Sequence, residues 1–161
     1  MNKLIIPFLF IACLMITACS KDDDPKFINT ADIEGVWFLT NIKGWEYDKD
    51  SPNGKFEFNE TFNYNWQGTP VGDNYDDAQK IQVSEDSYDL DDGIHYLTIK
   101  NYYWNYYNQK WTLNETGYIK LIGNQLINGT MKATITKLTD STMTTYQKDD
   151  DGETYITYTR L

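Results

Sequence analysis

The residues able to do chemistry in this chain are few and unevenly placed. Among 161 residues there is one histidine, His95, and there are two cysteines, Cys13 and Cys19. Carboxylates are plentiful, 24 in all, and three acidic runs end in glycine: Asp48–Gly54, Asp89–Gly93 and Asp149–Gly152. A calcium loop needs oxygen ligands at alternate positions, a glycine at its sixth position and a distal glutamate. The first run puts Pro52 at a ligand position and its glycine one residue late. The other two lack both the spacing and the glutamate, so all three read as solvated turns. His95 lies alone on a strand-like segment and reads as a surface or satisfied core residue. No nucleophile elbow, zinc-binding His-Glu-x-x-His, P-loop or Cys-x-x-Cys is present. Nothing singles out a pair of carboxylates for acid–base work. The chain is therefore expected to be no enzyme and to need neither cofactor nor metal.

The strongest remaining signal is aromatic. Asn101 to Trp111 packs six aromatic residues into eleven positions, interleaved with amides. Aromatic faces beside Asn and Gln suit sugar rings, which offer apolar C–H faces and hydroxyl edges. Tyr102, Trp104, Tyr107 and Trp111 are the candidate contacts here. Phe58, Tyr64 and Trp66 join them from an earlier aromatic strand. The alternative is that these rings serve partly as core and partly as plain exposed surface.

The N-terminus bears on location. Lys3 is followed by an uncharged apolar run, Leu4 to Ile16, of 13 residues, short of the ~20 that span a bilayer as a helix. Ile16-Thr17-Ala18-Cys19 then closes a cleavable signal segment, residues 1–18. The tetrapeptide resembles a bacterial lipobox, which implies lipidation of Cys19. Ser20, Lys21, Asp22, Asp23 and Asp24 follow and resemble the export signal that carries Bacteroidetes-type lipoproteins to the outer face of the outer membrane. Residues 19–30 would form the lipidated tether and 31–161 the folded domain. Cleavage leaves 143 residues with 13 Lys and Arg against 24 Asp and Glu, a formal charge of −11. So acidic a surface argues against nucleic acid, whose affinity rests on cationic contacts to phosphate. Membrane attachment is then expected through acyl chains on Cys19, at about 0.8 kcal/mol per buried methylene. No thiol is left for a disulfide or a zinc site.

The elements that must position any site read as all-β. Tyr, Thr, Ile, Phe and Trp dominate, and no window keeps a helical apolar period over three turns. Lys55–Trp66 is the clearest strand, with Phe56, Phe58, Phe62, Tyr64 and Trp66 on one parity facing a core. Glu60 interrupts that parity and is expected to mark a bulge or turn, the alternative being a carboxylate aimed into a cavity. Further strands are expected at Gly35–Lys43, weakly at Ala78–Ser84, and at Ile94–Trp104 and Lys110–Ile122. Gln125–Leu138 follows, interrupted at Asn128-Gly129, then Ser141–Lys148 and Glu153–Leu161. Gly68–Asp77 is expected to be a loop. Seven or eight antiparallel strands joined by short turns predict a meander closed into a barrel or folded into a sandwich.

Gly35-Val36-Trp37 at the start of the first strand, Arg160 near the end of the last, and Leu138-Thr139-Asp140 before the closing hairpin resemble bacterial lipocalin-like lipoproteins. The resemblance covers the start of the domain and its last ~30 residues, and leaves the middle unmatched. It implies an eight-stranded up-and-down barrel in which Trp37 plugs one end and Arg160 stacks across it. It also implies a small apolar or amphipathic ligand in the mouth. A glycan- or protein-binding module using the Tyr102–Trp111 rim, and a structural envelope protein with a filled interior, remain open beside it. Asp140-Ser141-Thr142 resembles a Bacteroidetes O-glycosylation acceptor, which implies modification at Ser141.

Overall fold

The computed structural model describes Ile28, residues 30–73 and residues 77–161. The signal segment, Cys19 and Ser20–Asp24 lie outside the described residues. A one-turn helix, α1 (Thr30–Ile33), leads into β1 (Gly35–Tyr47). Then come β2 (Lys55–Thr61), β3 (Asn63–Tyr64), β4 (Pro70–Val71), β5 (Gln79–Asp89), β6 (Ile94–Asn105) and β7 (Lys110–Ile122). The chain ends with β8 (Gln125–Asn128), β9 (Met131–Leu138), β10 (Thr142–Lys148) and β11 (Gly152–Thr159). Nine strands form one antiparallel sheet in the order β11-β10-β9-β8-β7-β6-β5-β1-β2, and β11 also pairs with β1. The sheet thus rings round on itself, and β3 and β4 form a separate small hairpin.

Alternation sets the core. Trp37, Ile81, Val83, Leu97, Leu121, Ile135 and Met143 point inward and are almost fully buried, with Ile33 of α1 among them. Their outward neighbours, such as Gln82 and Lys120, meet water. Closure needs curvature, and the ladders bend where one strand carries an extra residue. Such shifts occur at Leu39/Asn41 against β11, at Glu85/Ser87 against β6, at Asn101/Tyr102 against β7 and at Thr144/Thr145 against β9.

Strand β1 makes the ring's main branch. Gly35–Phe38 pairs with β5, whereas Asn41–Tyr47 pairs with β2 along that same edge. This corrects the reading of Lys55–Trp66 as one strand. Beyond Thr61 the edge of β1 is occupied by β5, so β2 has no partner to follow. The Phe62 N–H bonds Thr40 O at 3.0 Å instead, and the chain turns away into β3. The single packed face breaks with it: Phe62 is buried, but Phe56 is half exposed and Trp66 is 85% exposed. Glu60 is no bulge, since it pairs opposite Ile42 in an unshifted ladder.

Other boundaries also move. The weak strand at Ala78–Ser84 is instead an 11-residue strand, β5, because it is zipped on both edges. The loop expected at Gly68–Asp77 contains β4, which covers β3. The break at Asn128-Gly129 separates β8 from β9.

Candidate functional site

Among the described residues, the ring encloses an apolar cavity of about 250 Å3. Its walls come from alternate residues of several strands, chiefly Ile81, Val83, Ile99, Ile119, Met143 and Ile156, and Ile33 of α1 contributes from one end. Polar groups on the lining are Asn101, Asn128, Thr145, Gln147 and Tyr158, and among the described residues no lining side chain is charged. Along β10 the lining runs from Met143 to Gln147, four residue steps or roughly 13 Å of strand. Met143 sits at the α1 end and Gln147 toward the other. Burial pushes the Tyr158 phenol up to about 12, so it stays neutral across the physiological range. The Oδ1 of Asn101 is buried and no donor on a described residue reaches it.

The α1 end is shut by a set of residues drawn from both chain termini. Trp37 is fully buried, and its indole N–H donates to Ile33 O at 2.7 Å. The Arg160 guanidinium lies 4.0 Å from the centre of the Trp37 ring. The same guanidinium donates to the carbonyls of Asp32 and Glu34, each at 2.7 Å, and to that of Asp140 at 3.2 Å. Its planar fork suits several oxygens at once, while the face of the ring takes the cation. Gly35 adopts φ +124°, a conformation side chains resist, and passes directly over the guanidinium. The three residues of the terminal motif, Gly35, Trp37 and Arg160, therefore stand together.

A second polar knot lies at this end. Glu85 accepts from Thr30 at 2.7 Å and meets Nδ1 of His95 at 2.7 Å, while Tyr88 stacks on the imidazole at 4.2 Å. The bonds from His95 and Thr30 hold the Glu85 carboxyl below its ordinary range. His95 thus has a structural occupation that ties β5, β6 and the lead segment together.

The aromatic residues proposed as ligand contacts are elsewhere, and none lines the cavity. Tyr64 and Trp111 gather with Phe38 on the outer face of the sheet, with ring centres 5.1 to 6.2 Å apart, and Trp104 abuts Trp111 at 5.4 Å. The Lys80 ammonium sits 5.0 Å from Trp111 and 5.1 Å from Tyr102, and burial there lowers its pKa. Trp111 donates to Gly68 O at 3.0 Å, and Tyr64 donates its hydroxyl to Leu39 O at 2.7 Å. This cluster clamps the segment carrying β3 and β4 onto the sheet. Gly68 presses so closely on Phe38 that a Cβ would come 2.6 Å from its ring.

Phe58 stacks on Phe56 on the strand β2 that leaves the ring. Trp66 and Tyr107 are 85% and 97% exposed. Trp104 borders a shallow surface recess with Thr69, Pro70, Tyr106 and Gln109. Ser141 is exposed in the turn between β9 and β10, and its carbonyl accepts the Arg160 backbone N–H.

Sequence reading missed the cavity lining and Lys80. The lining had a signal, the shared inward parity of Leu97, Ile99 and Asn101, but only register shows which parity faces inward. Among the described residues no group of three or more His, Cys, Asp or Glu comes together to hold a metal ion. No helix among them is long and apolar enough to cross a membrane. No known family model matches the chain, and neither a curated protein nor a solved structure matches it.

Proposed function

We propose that the chain is a lipid-anchored, non-enzymatic binding protein of lipocalin-like, eight-stranded up-and-down barrel type. It holds one small apolar or amphipathic molecule inside the ring of strands. The observation that carries this reading is the apolar cavity, closed at the α1 end and lined, among the described residues, without charge. A filled interior, as a purely structural envelope protein would have, leaves no such space. At about 250 Å3 the cavity lies just below the ~300–1,000 Å3 of typical small-molecule sites. It suits a single alkyl chain or a compact ring system rather than a diacyl lipid. The pairing of β1 with β11 and the stack of Arg160 on Trp37 support the barrel comparison. Anchoring at Cys19, with Ser20–Asp24 directing display on the outer membrane, rests on the sequence resemblance.

Two measurements test the reading. Native mass spectrometry of the full chain is expected to show a co-purifying small molecule, and N-phenyl-1-naphthylamine is expected to brighten on binding. Ala133→Trp, which projects bulk into the cavity, should abolish both. A full chain that carries nothing and leaves the dye dark sinks the proposal. For the anchor, Cys19→Ala should move the protein from the membrane fraction to the soluble one, and retention in the membrane removes the lipidation reading.

A second reading, a surface module for glycans or proteins, is favoured by the exposure of Trp66 and Tyr107 and by the recess that Trp104 borders. Glycan-array binding lost in Trp104→Ala and Tyr107→Ala, with the cavity empty, would favour it over the first.

A further inference from the structure

One buried polar atom on the cavity lining has no hydrogen-bond partner among the described residues. Asn101 lies on β6 in register with Ile81 of β5 on one side and Glu115 of β7 on the other. Its Oδ1 is buried on a lining that is otherwise mostly Ile, Val, Leu and Met, and no donor on a described residue reaches it. A buried acceptor without a donor is costly, whereas an apolar residue of similar shape is nearly neutral at such a place. Leucine at position 101 would serve the fold better. An amide held there at a cost to stability is the pattern of a functional group.

The charge pattern narrows the partner further. Among the described residues the cavity lining carries no cation, and the residue across from Asn101 on β7 is an exposed carboxylate, Glu115. The full chain carries a formal charge of −10. An anionic headgroup placed beside Asn101 would lose its hydration and gain no counter-charge.

We propose that the ligand is neutral and carries a hydrogen-bond donor, a hydroxyl or an N–H, on an apolar body, and that the Asn101 side-chain carbonyl receives this donor. The inference rests on the binding reading above and specifies the ligand class. Free fatty acids and other carboxylates are excluded by it, while alcohols, sterol-like hydroxyls and neutral amides fit.

Three probes of equal length test it on the full chain: 1-octanol, its isomer 1-methoxyheptane, which has no donor, and octanoate at neutral pH. Methyl-13C methionine reports occupancy directly, because Met131 and Met143 both lie on the cavity lining. The alcohol should bind about tenfold more tightly than the ether, the effect of one hydrogen bond to an otherwise orphaned acceptor. Octanoate should bind more weakly than either. Asn101→Leu should bring alcohol and ether within about twofold of each other and raise the melting temperature of the empty protein. The wild-type comparison stands even if that variant fails to fold. Equal binding of alcohol and ether, or octanoate binding as tightly as octanol, overturns the inference and leaves the cavity reading intact. No shift at either methionine with any probe overturns the cavity reading, and this inference with it.

Discussion

Removing the Arg160 guanidinium should open the shut end of the ring. In Arg160→Ala, the carbonyls of Asp32 and Glu34 each lose a donor at 2.7 Å, and that of Asp140 loses one at 3.2 Å. Charge-assisted bonds of this kind contribute about 1.5–3 kcal/mol when desolvated, and less at a solvent-facing site such as this one. Two short bonds at about 1 kcal/mol each and one long bond at about 0.5 kcal/mol are a fair assignment here. The stack on Trp37 adds about 1 kcal/mol. The buried Nε, which no acceptor on a described residue reaches, offsets part of this gain. A net loss of about 3 kcal/mol follows, which for a domain of this size lowers the melting temperature by about 10 °C. Arg160→Lys keeps a cation over the ring but cannot fork to two carbonyls, so it should recover less than half of the loss. Calorimetry gives the melting temperatures. Hydrogen exchange at the Trp37 indole, bonded to Ile33 O, gives the location, since that proton should exchange faster in the alanine variant. A melting temperature within about 3 °C of wild type for Arg160→Ala would refute the argument that this side chain clamps the lead segment. A lysine variant indistinguishable from wild type would show that charge alone suffices and the fork contributes nothing.

Four further outcomes are expected. Gly68→Ala should destabilise by about 1–3 kcal/mol in urea titration, because φ is +74° and the new methyl would strike Phe38. Trp111→Ala should cost about 3 kcal/mol by urea midpoint, whereas Trp66→Ala should stay within about 0.5 kcal/mol, since the first ring is packed and the second exposed. Tyr158 keeps its proton to about 12 in the fold but releases it near 10 when unfolded, so stability should fall as pH rises from about 10 to 12, by up to about 1.4 kcal/mol per pH unit. Tyr158→Phe should flatten that decline, leaving the share due to Tyr64, whose phenol burial also pushes up. Glu85, held below its ordinary range by His95 and Thr30, contributes stability above its unfolded pKa of 4.5 that is lost as pH falls through its lower folded value. Glu85→Gln should therefore remove part of the acid limb of a pH–stability curve while leaving its alkaline side unchanged.

The β character of the chain was legible because it is written locally. Alternation such as Ile81/Val83 and Leu97/Ile99, and turn chemistry such as Asp91-Asp92-Gly93, act within a few residues and need no partner to be recognised. Lys55–Trp66 shows where that logic stops. Its alternation continues to Trp66, but its pairing ends at Thr61, because the edge of β1 belongs to β5 from there on. The aromatic run from Tyr102 to Trp111 shows a related limit. A ring that stacks on a sugar and a ring that pins down a hairpin look alike in sequence. Only the approach of Gly68 and Phe38 to Trp111 and of Lys80 to Tyr102 and Trp111 tells them apart.

The sequence by itself determined that the chain would be strand-rich and acidic, with a single histidine and no cysteine beyond position 19. These are sums of single-residue properties. Tertiary structure alone decided which parity faces inward, and that the interior would hold a space with an orphaned amide oxygen on its wall. A cavity is the small difference between the volume the ring encloses and the volume its side chains fill. Residues far apart along the chain contribute to it at once, so no local pattern encodes it.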